Sequence, residues 1–183
     1  MIICYDAGFV SLGWVAAELP SRAGDMPRIV AGGVSYVKEI ESRTRMMSDL
    51  LRTLKHVDVV RNLHMMFDPE AYFIEFPHAG AKGARAIRAM ALASAYLMTA
   101  LHMLYARNVV AMLPSAVKKA ITGDSSADKD VVEERVHKLW PDFAFEQAEP
   151  KKTIRHNLID AAAVCCAATT TKEYKQLLKK GKT

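Results

Sequence analysis

Met1-Ile2-Ile3-Cys4-Tyr5-Asp6-Ala7-Gly8, followed by Ser11-Leu12-Gly13-Trp14-Val15-Ala16-Ala17, is the stretch on which the fold turns. Each segment is short, apolar and bounded by small residues, so two closely joined strands are expected. Ser21 to Arg28 reads as a loop, and Ile29 to Val37 as a third strand, with Gly32-Gly33 permitting a bulge or a close backbone approach. From Glu39 to about His56, apolar residues return at helical spacing (Ile40, Met46, Met47, Leu50, Leu51, Leu54), which predicts an amphipathic helix. Ala71 to Phe76 is a fourth strand, and Pro77 to Gly83 a glycine-containing loop. Ala84 to Arg107 predicts a long helix, apolar on nearly every side and therefore buried. A fifth strand, Asn108 to Leu113, precedes a short helix opened by Pro114 and running through Ala120. A helix over Asp128 to Leu139, irregular chain over Pro141 to Pro150 and a last helix from about Ile154 to Thr170 complete the order. Three strands followed by alternating helices and strands predict an α/β fold, a mixed five-stranded sheet with helices on both faces.

The 183 residues suffice for one domain with a core, and 51% hydrophobic with 25% charged residues excludes a disordered chain. No apolar run is read as a membrane span, and residues 1–6 lack signal-peptide character, so an intracellular location is expected. Cys4, Cys165 and Cys166 are odd in number and lack CxxC spacing, which predicts reduced core thiols in a reducing compartment. The net charge of +5 suits a polyanionic partner. Part of that excess lies in a basic C-terminal tail, 172–183, set apart from the main domain over 1–171.

Three acids occupy costly positions. Asp6 closes an apolar strand, Glu75 sits inside the run Tyr72 to Phe76, and Asp160 interrupts Leu158-Ile159-Asp160-Ala161-Ala162-Ala163. An ionised carboxylate in such surroundings needs a cation, a donor or a proton. If the first and fourth strands are neighbours, Asp6 and Glu75 meet, and the final helix can present Asp160 to them. Such a cluster repels itself and calls for a hard cation with oxygen ligands, for which Mg²⁺ is suited.

Asp6-Ala7-Gly8 with Gly13-Trp14, Ile74-Glu75, Val117-Lys118-Lys119-Ala120-Ile121-Thr122-Gly123 with Ala127-Asp128-Lys129, and Asp160-Ala161-Ala162 together resemble the RuvC family of Holliday junction resolvases, over about residues 1–170. The resemblance implies a ribonuclease H-like fold, a homodimer and Mg²⁺-dependent symmetric cleavage of a four-way DNA junction, with two ions per site and Mn²⁺ as a substitute. It casts Asp6, Glu75 and Asp160 as metal ligands. The family places a fourth ligand, Asp or His, three residues before the last, where this chain has Asn157 beside His156. Both share a helical face with Asp160. Asn157 offers a neutral amide oxygen, and His156 an imidazole that can act as ligand or base.

The resemblance also sets Lys118 and Lys119 near the scissile phosphate, where either can neutralise transition-state charge. Lys129, at a helix start, is a candidate phosphate contact, as is Arg85. Phe76 and His78 are candidates to stack on bases at the crossover, with Phe76 equally a core residue. The resulting expectation is a junction-resolving endonuclease, for which the sequence names no branch-migration motor. Two alternatives stand beside it: a ribonuclease H-like nuclease acting on other branched DNA or hybrids, and a non-catalytic binder of branched DNA.

Overall fold

The computed structural model describes residues 1–22, 24–76 and 83–180. Its five strands are β1 (Ile2–Ala7), β2 (Ser11–Glu18), β3 (Arg28–Tyr36), β4 (Ala71–Glu75) and β5 (Val109–Met112), joined in the order β3-β2-β1-β4-β5. β1, β2 and β3 are antiparallel neighbours, whereas β4 lies parallel to both β1 and β5. The mixed sheet predicted from the element order is therefore the one observed.

Alternation along the strands decides which side each residue faces. Ile2 and Cys4 of β1, with Ala71 and Phe73 of β4, enter one apolar layer; Ile3, Tyr5 and Ala7, with Tyr72 and Ile74, enter the other. The first layer is closed by α3 (Pro114–Thr122), α4 (Lys129–Leu139), the short α5 (Phe145–Ala148), α6 (Lys152–Ala168) and α7 (Lys172–Lys180). The second is closed by α1 (Arg45–Phe67) and α2 (Ala84–Met103). All three cysteines are buried free thiols, and burial pushes Cys4 well above the usual thiol range. A buried protonated thiol is a packing group and a poor nucleophile.

α6 is the spine of its layer. Leu158, Ile159 and every residue from Ala161 to Ala168 are buried. Five of those positions are alanines between 161 and 168, so the helix backbone can lie close to the sheet. The approach is tightest at Gly13, where an added Cβ would stand 1.9 Å from the Asn157 carbonyl oxygen. Gly13 is required there by space alone.

Several boundaries differ from the sequence reading. The first helix begins at Arg45, not Glu39, because Thr44 caps it by accepting a hydrogen bond from the Met47 N–H at 3.2 Å. It runs on to Phe67 and stops where Asp68 turns left-handed. Residues 141–150 are not wholly irregular, since they contain α5. The basic C-terminal segment forms α7 through residue 180, with Tyr174 and Leu177 buried against the core. α2 ends at Met103 and is not enclosed: Ala93, Tyr96, Leu97, Ala100 and Leu101 face inward, whereas Ile87 is 58% and Met103 70% exposed. By length and composition α2 also meets the measure of a membrane span, contrary to the sequence reading. Its inner residues are instead sealed against the sheet.

Candidate active site

The register of β1 and β4 sets Asp6 beside Glu75 as a parallel pair. Each lies two residues beyond a side chain of the α6-side layer, Cys4 and Phe73, so alternation turns both carboxylates toward α6. Asp160 comes from α6 itself. The three acids line one cleft of about 350 Å³ at the ends of these strands, together with Gly8, Lys118, Lys129, His156 and Asn157.

Electrostatics confirm that these acids sense one another. Asp6 is pushed well above the usual carboxylate range, first by burial and then by the charges of Asp160 and Glu75. Glu75 is raised to about 7 by burial and by Asp160, with Lys129 and Lys118 opposing the shift. Asp160 is also raised by burial, against the pull of Lys129, His156 and Lys118. Burial, more than repulsion, thus makes the charged form of each acid costly in this cleft.

Two of those lysines are placed differently. Lys129 Nζ lies 3.6 Å from Asp160 Oδ2 and reaches in from the start of α4. Lys118 is half-buried, and its Nζ donates to the Ala127 carbonyl at 2.7 Å. On α3, Val117 and Ile121 are the buried positions, so Lys118 turns with them toward the cleft. Lys119 is exposed and does not line it. The two candidate lysines of that helix are thereby separated.

Asn157 and His156 are also distinguished. Asn157 is 7% exposed; its Oδ1 accepts from the Ser11 hydroxyl at 3.0 Å and its Nδ2 donates to the Ile154 carbonyl at 2.9 Å. The amide ties α6 to the start of β2. His156 is exposed at the rim, where its charge acts on Asp160. Ser11 was not singled out by sequence reasoning, and at 146 positions from Asn157 no local pattern signals the contact.

The turn between β1 and β2 is held from behind. Tyr96 donates its hydroxyl to the Gly8 carbonyl at 3.0 Å, and His56 Nε2 stands 3.3 Å from the Phe9 carbonyl. A carbonyl only accepts, so Nε2 carries the His56 proton and Nδ1 accepts from the Ser35 hydroxyl at 3.1 Å. Burial lowers His56 to about 4, which keeps the ring neutral and this arrangement intact. These residues too were missed, because the helices that carry them are remote in sequence from the turn.

The remaining candidates lie elsewhere. Phe76 is half-buried and packs against the α1–α2 layer, on the side opposite Glu75. Arg85 is exposed at the start of α2 and lines a different pocket. His78 falls outside the described residues.

Whether the acids suit a metal has two sides. Carboxylate oxygens gathered in one cleft are the donors that a hard cation takes. Yet among the described residues no three His, Cys, Asp or Glu side chains are gathered closely enough to hold one ion as they stand. The acids nevertheless share one cleft, and Asp160 is ion-paired to Lys129 through a side chain that can rotate. The donor set fits a divalent cation, provided that Asp160 leaves Lys129.

A family model described as crossover junction endodeoxyribonuclease RuvC matches residues 24–166. Among solved structures, the chain is similar to Thermus thermophilus RuvC in complex with Holliday junction substrate, at 20% identity and a TM-score of 0.73, covering 91% of each chain. It is similar to another Thermus thermophilus RuvC structure, at 20% identity and a TM-score of 0.72, covering 96% of this chain and 95% of that one. The yeast mitochondrial Holliday junction resolvase Ydc2 matches at 11% identity with a TM-score of 0.65, over 98% of this chain and 80% of that one. At these identities the structural matches establish the fold. No curated protein matches the sequence.

Proposed function

From the membership of this chain in the RuvC family of crossover junction endodeoxyribonucleases, we propose that it resolves four-way DNA junctions at the cleft of Asp6, Glu75 and Asp160. The observation that carries the reading is the pairing of Asp6 with Glu75 in register, in one cleft with Asp160 and two lysines. Nucleases of this family are metal-dependent. Here Asp6, Glu75 and Asp160 would hold a pair of Mg²⁺ ions, or Mn²⁺ in their place. Once bound, such ions supply Lewis-acid polarisation of the phosphodiester and ease the ionisation of water.

The chain's own groups do the rest. Lys118, fixed by the Ala127 carbonyl, offsets the charge that grows on the transferred phosphoryl oxygens. Lys129 exchanges Asp160 for a phosphate oxygen. His156 at the rim takes the proton of the attacking water on a ring nitrogen. The water oxygen bonds to phosphorus as the bond to the 3′ oxygen breaks and that oxygen takes a proton from solvent, leaving a 5′ phosphate and a 3′ hydroxyl that a ligase can rejoin. Asn157, already bonded to Ser11 and Ile154, serves chiefly to hold α6 in place, which leaves His156 as the group of that face free to take the proton.

Labelled four-way junction, linear duplex and RNA–DNA hybrid, each with Mg²⁺ or with EDTA, test this reading. Symmetric nicks in the junction alone, only with Mg²⁺, are expected. Equal cleavage of hybrid or flap would move the assignment to another ribonuclease H-like nuclease. The loosely gathered acids support a second reading, a branched-DNA binder without catalysis. Tight junction binding with no cleavage at any divalent-ion concentration would establish that one instead.

Symmetric cleavage needs two sites, so a homodimer belongs to the proposal. The apolar face left open on α1 and α2, including Leu50, Leu54, Ile87 and Met98, would receive the second copy. Sedimentation equilibrium is expected to give a dimer at micromolar concentration, and Met98→Glu a monomer. A wild-type monomer, free and junction-bound, would remove the dimer. The buried thiols suit a reducing intracellular compartment.

A further inference from the structure

We infer that a pocket built around Arg52, behind the β1–β2 turn, is a second phosphate site that grips the DNA backbone next to the cleavage cleft; the inference rests on the reading above. This pocket holds about 440 Å³ and is separate from the acidic cleft. Gly8 lines the cleft, whereas the next two residues, Phe9 and Val10, line this pocket, so the turn is the wall between them.

Its charge is one-sided. Arg52, Arg85 and Arg88 line it against a single acid, Asp49. That acid is already taken, because Arg88 Nη2 is ion-paired to Asp49 Oδ2. Arg52 is only 8% exposed, an unusual depth for a guanidinium with no carboxylate partner among the described residues. Its Nε donates to the Lys38 carbonyl at 3.1 Å, and its guanidinium carbon lies 5.5 Å from the centre of the Phe9 ring. These contacts fix the group but use only one of its N–H donors. The Nη donors have no acceptor among the described residues, and they are not sealed from solvent. Arg52 itself lines the open pocket.

A buried, oriented fork of this kind matches an oxyanion that accepts two parallel hydrogen bonds. His56 does not compete for it, since Arg52 and burial together keep that ring neutral. Arg85, exposed at the mouth, adds a charge that can close over the ligand. Of the anions a nuclease meets, a phosphodiester of its own substrate is the one always present, and only the β1–β2 turn parts this pocket from the cleft. The pocket therefore sets the strand's path over the turn and holds the scissile phosphate in register.

The test is junction affinity by fluorescence anisotropy in EDTA, where nothing is cut, over a series of salt concentrations. Arg85→Gln and Arg52→Gln are each expected to weaken binding by about three- to tenfold, and to lower the slope of log affinity against log salt by about one. Arg52→Lys keeps the charge but loses the fork, so affinity should fall while the slope is retained. Circular dichroism establishes that each variant is folded, and Arg85→Gln, altered at an exposed position, carries the test if Arg52→Gln does not fold. Folded variants with the affinity and slope of the unaltered chain would overturn the pocket and leave the cleft's assignment standing. Unaltered protein that does not bind the junction would overturn both.

Discussion

Glu75→Gln is expected to abolish junction cleavage while making the metal-free protein more stable. Removing one of three ligands forfeits several kcal/mol of transition-state stabilisation, so the rate should fall on the order of 10³-fold or more. The stability gain follows from the cost of the carboxylate. Folding raises Glu75 from its ordinary value to about 7, so the folded chain holds that proton more tightly than the unfolded chain does. Stability contributed by the protonated form is complete below pH 4.5 and is lost as pH rises through 7. Glutamine has no proton to lose. Thermal melts in EDTA should therefore show variant and parent close at pH 5 and separated at pH 8, with the variant ahead by roughly 2 kcal/mol after allowance for solvent screening. Added Mg²⁺ should raise the melting temperature of the parent and do much less for the variant. A variant no more stable than its parent at pH 8 would mean that the folded chain does not make the Glu75 carboxylate costly.

Gly13→Ala is expected to be the most damaging single methyl in the protein. Its Cβ would lie 1.9 Å from the Asn157 carbonyl oxygen and 2.4 Å from the carbonyl carbon, atoms of the α6 backbone that no rotamer change can move. Either β2 or α6 must shift, at a cost of about 3 kcal/mol or more and a fall in melting temperature near 10 °C. Cleavage should fall further than stability implies, because Asp160 and the Ser11–Asn157 bond travel with α6. Gly33→Ala is the control: its nearest neighbour is the Trp14 side chain at 3.2 Å, which can yield. If both variants melt alike, the close approach at Gly13 does not matter.

The sequence was readable where a local pattern carries the information. Asp6 and Glu75 stand at strand positions where alternation dictates the side, and Asp160 breaks an alanine-rich helix. Helical spacing also separates Lys118 from Lys119 once Val117 and Ile121 are known to be inside. It misled at Glu39 to Thr44, where Ile40 extends the apolar spacing but lies outside the helix, its backbone N–H bonded to the hydroxyl of Ser48 within α1. Composition could not tell that α2 is open on one side, because alanine and methionine suit a core and an interface alike. The supports of the site, Ser11 on Asn157, Tyr96 on Gly8 and His56 on Phe9, join residues that only the folded chain brings together.

The acids arrive late and from far apart during synthesis. Asp6 waits for a strand that ends at residue 75, and both wait for a helix that begins only at residue 152. A slip of one residue between β1 and β4 would turn one of the pair to the wrong side of the sheet. A polypeptide that is cut short before α6, or paired out of register, therefore lacks the assembled cleft.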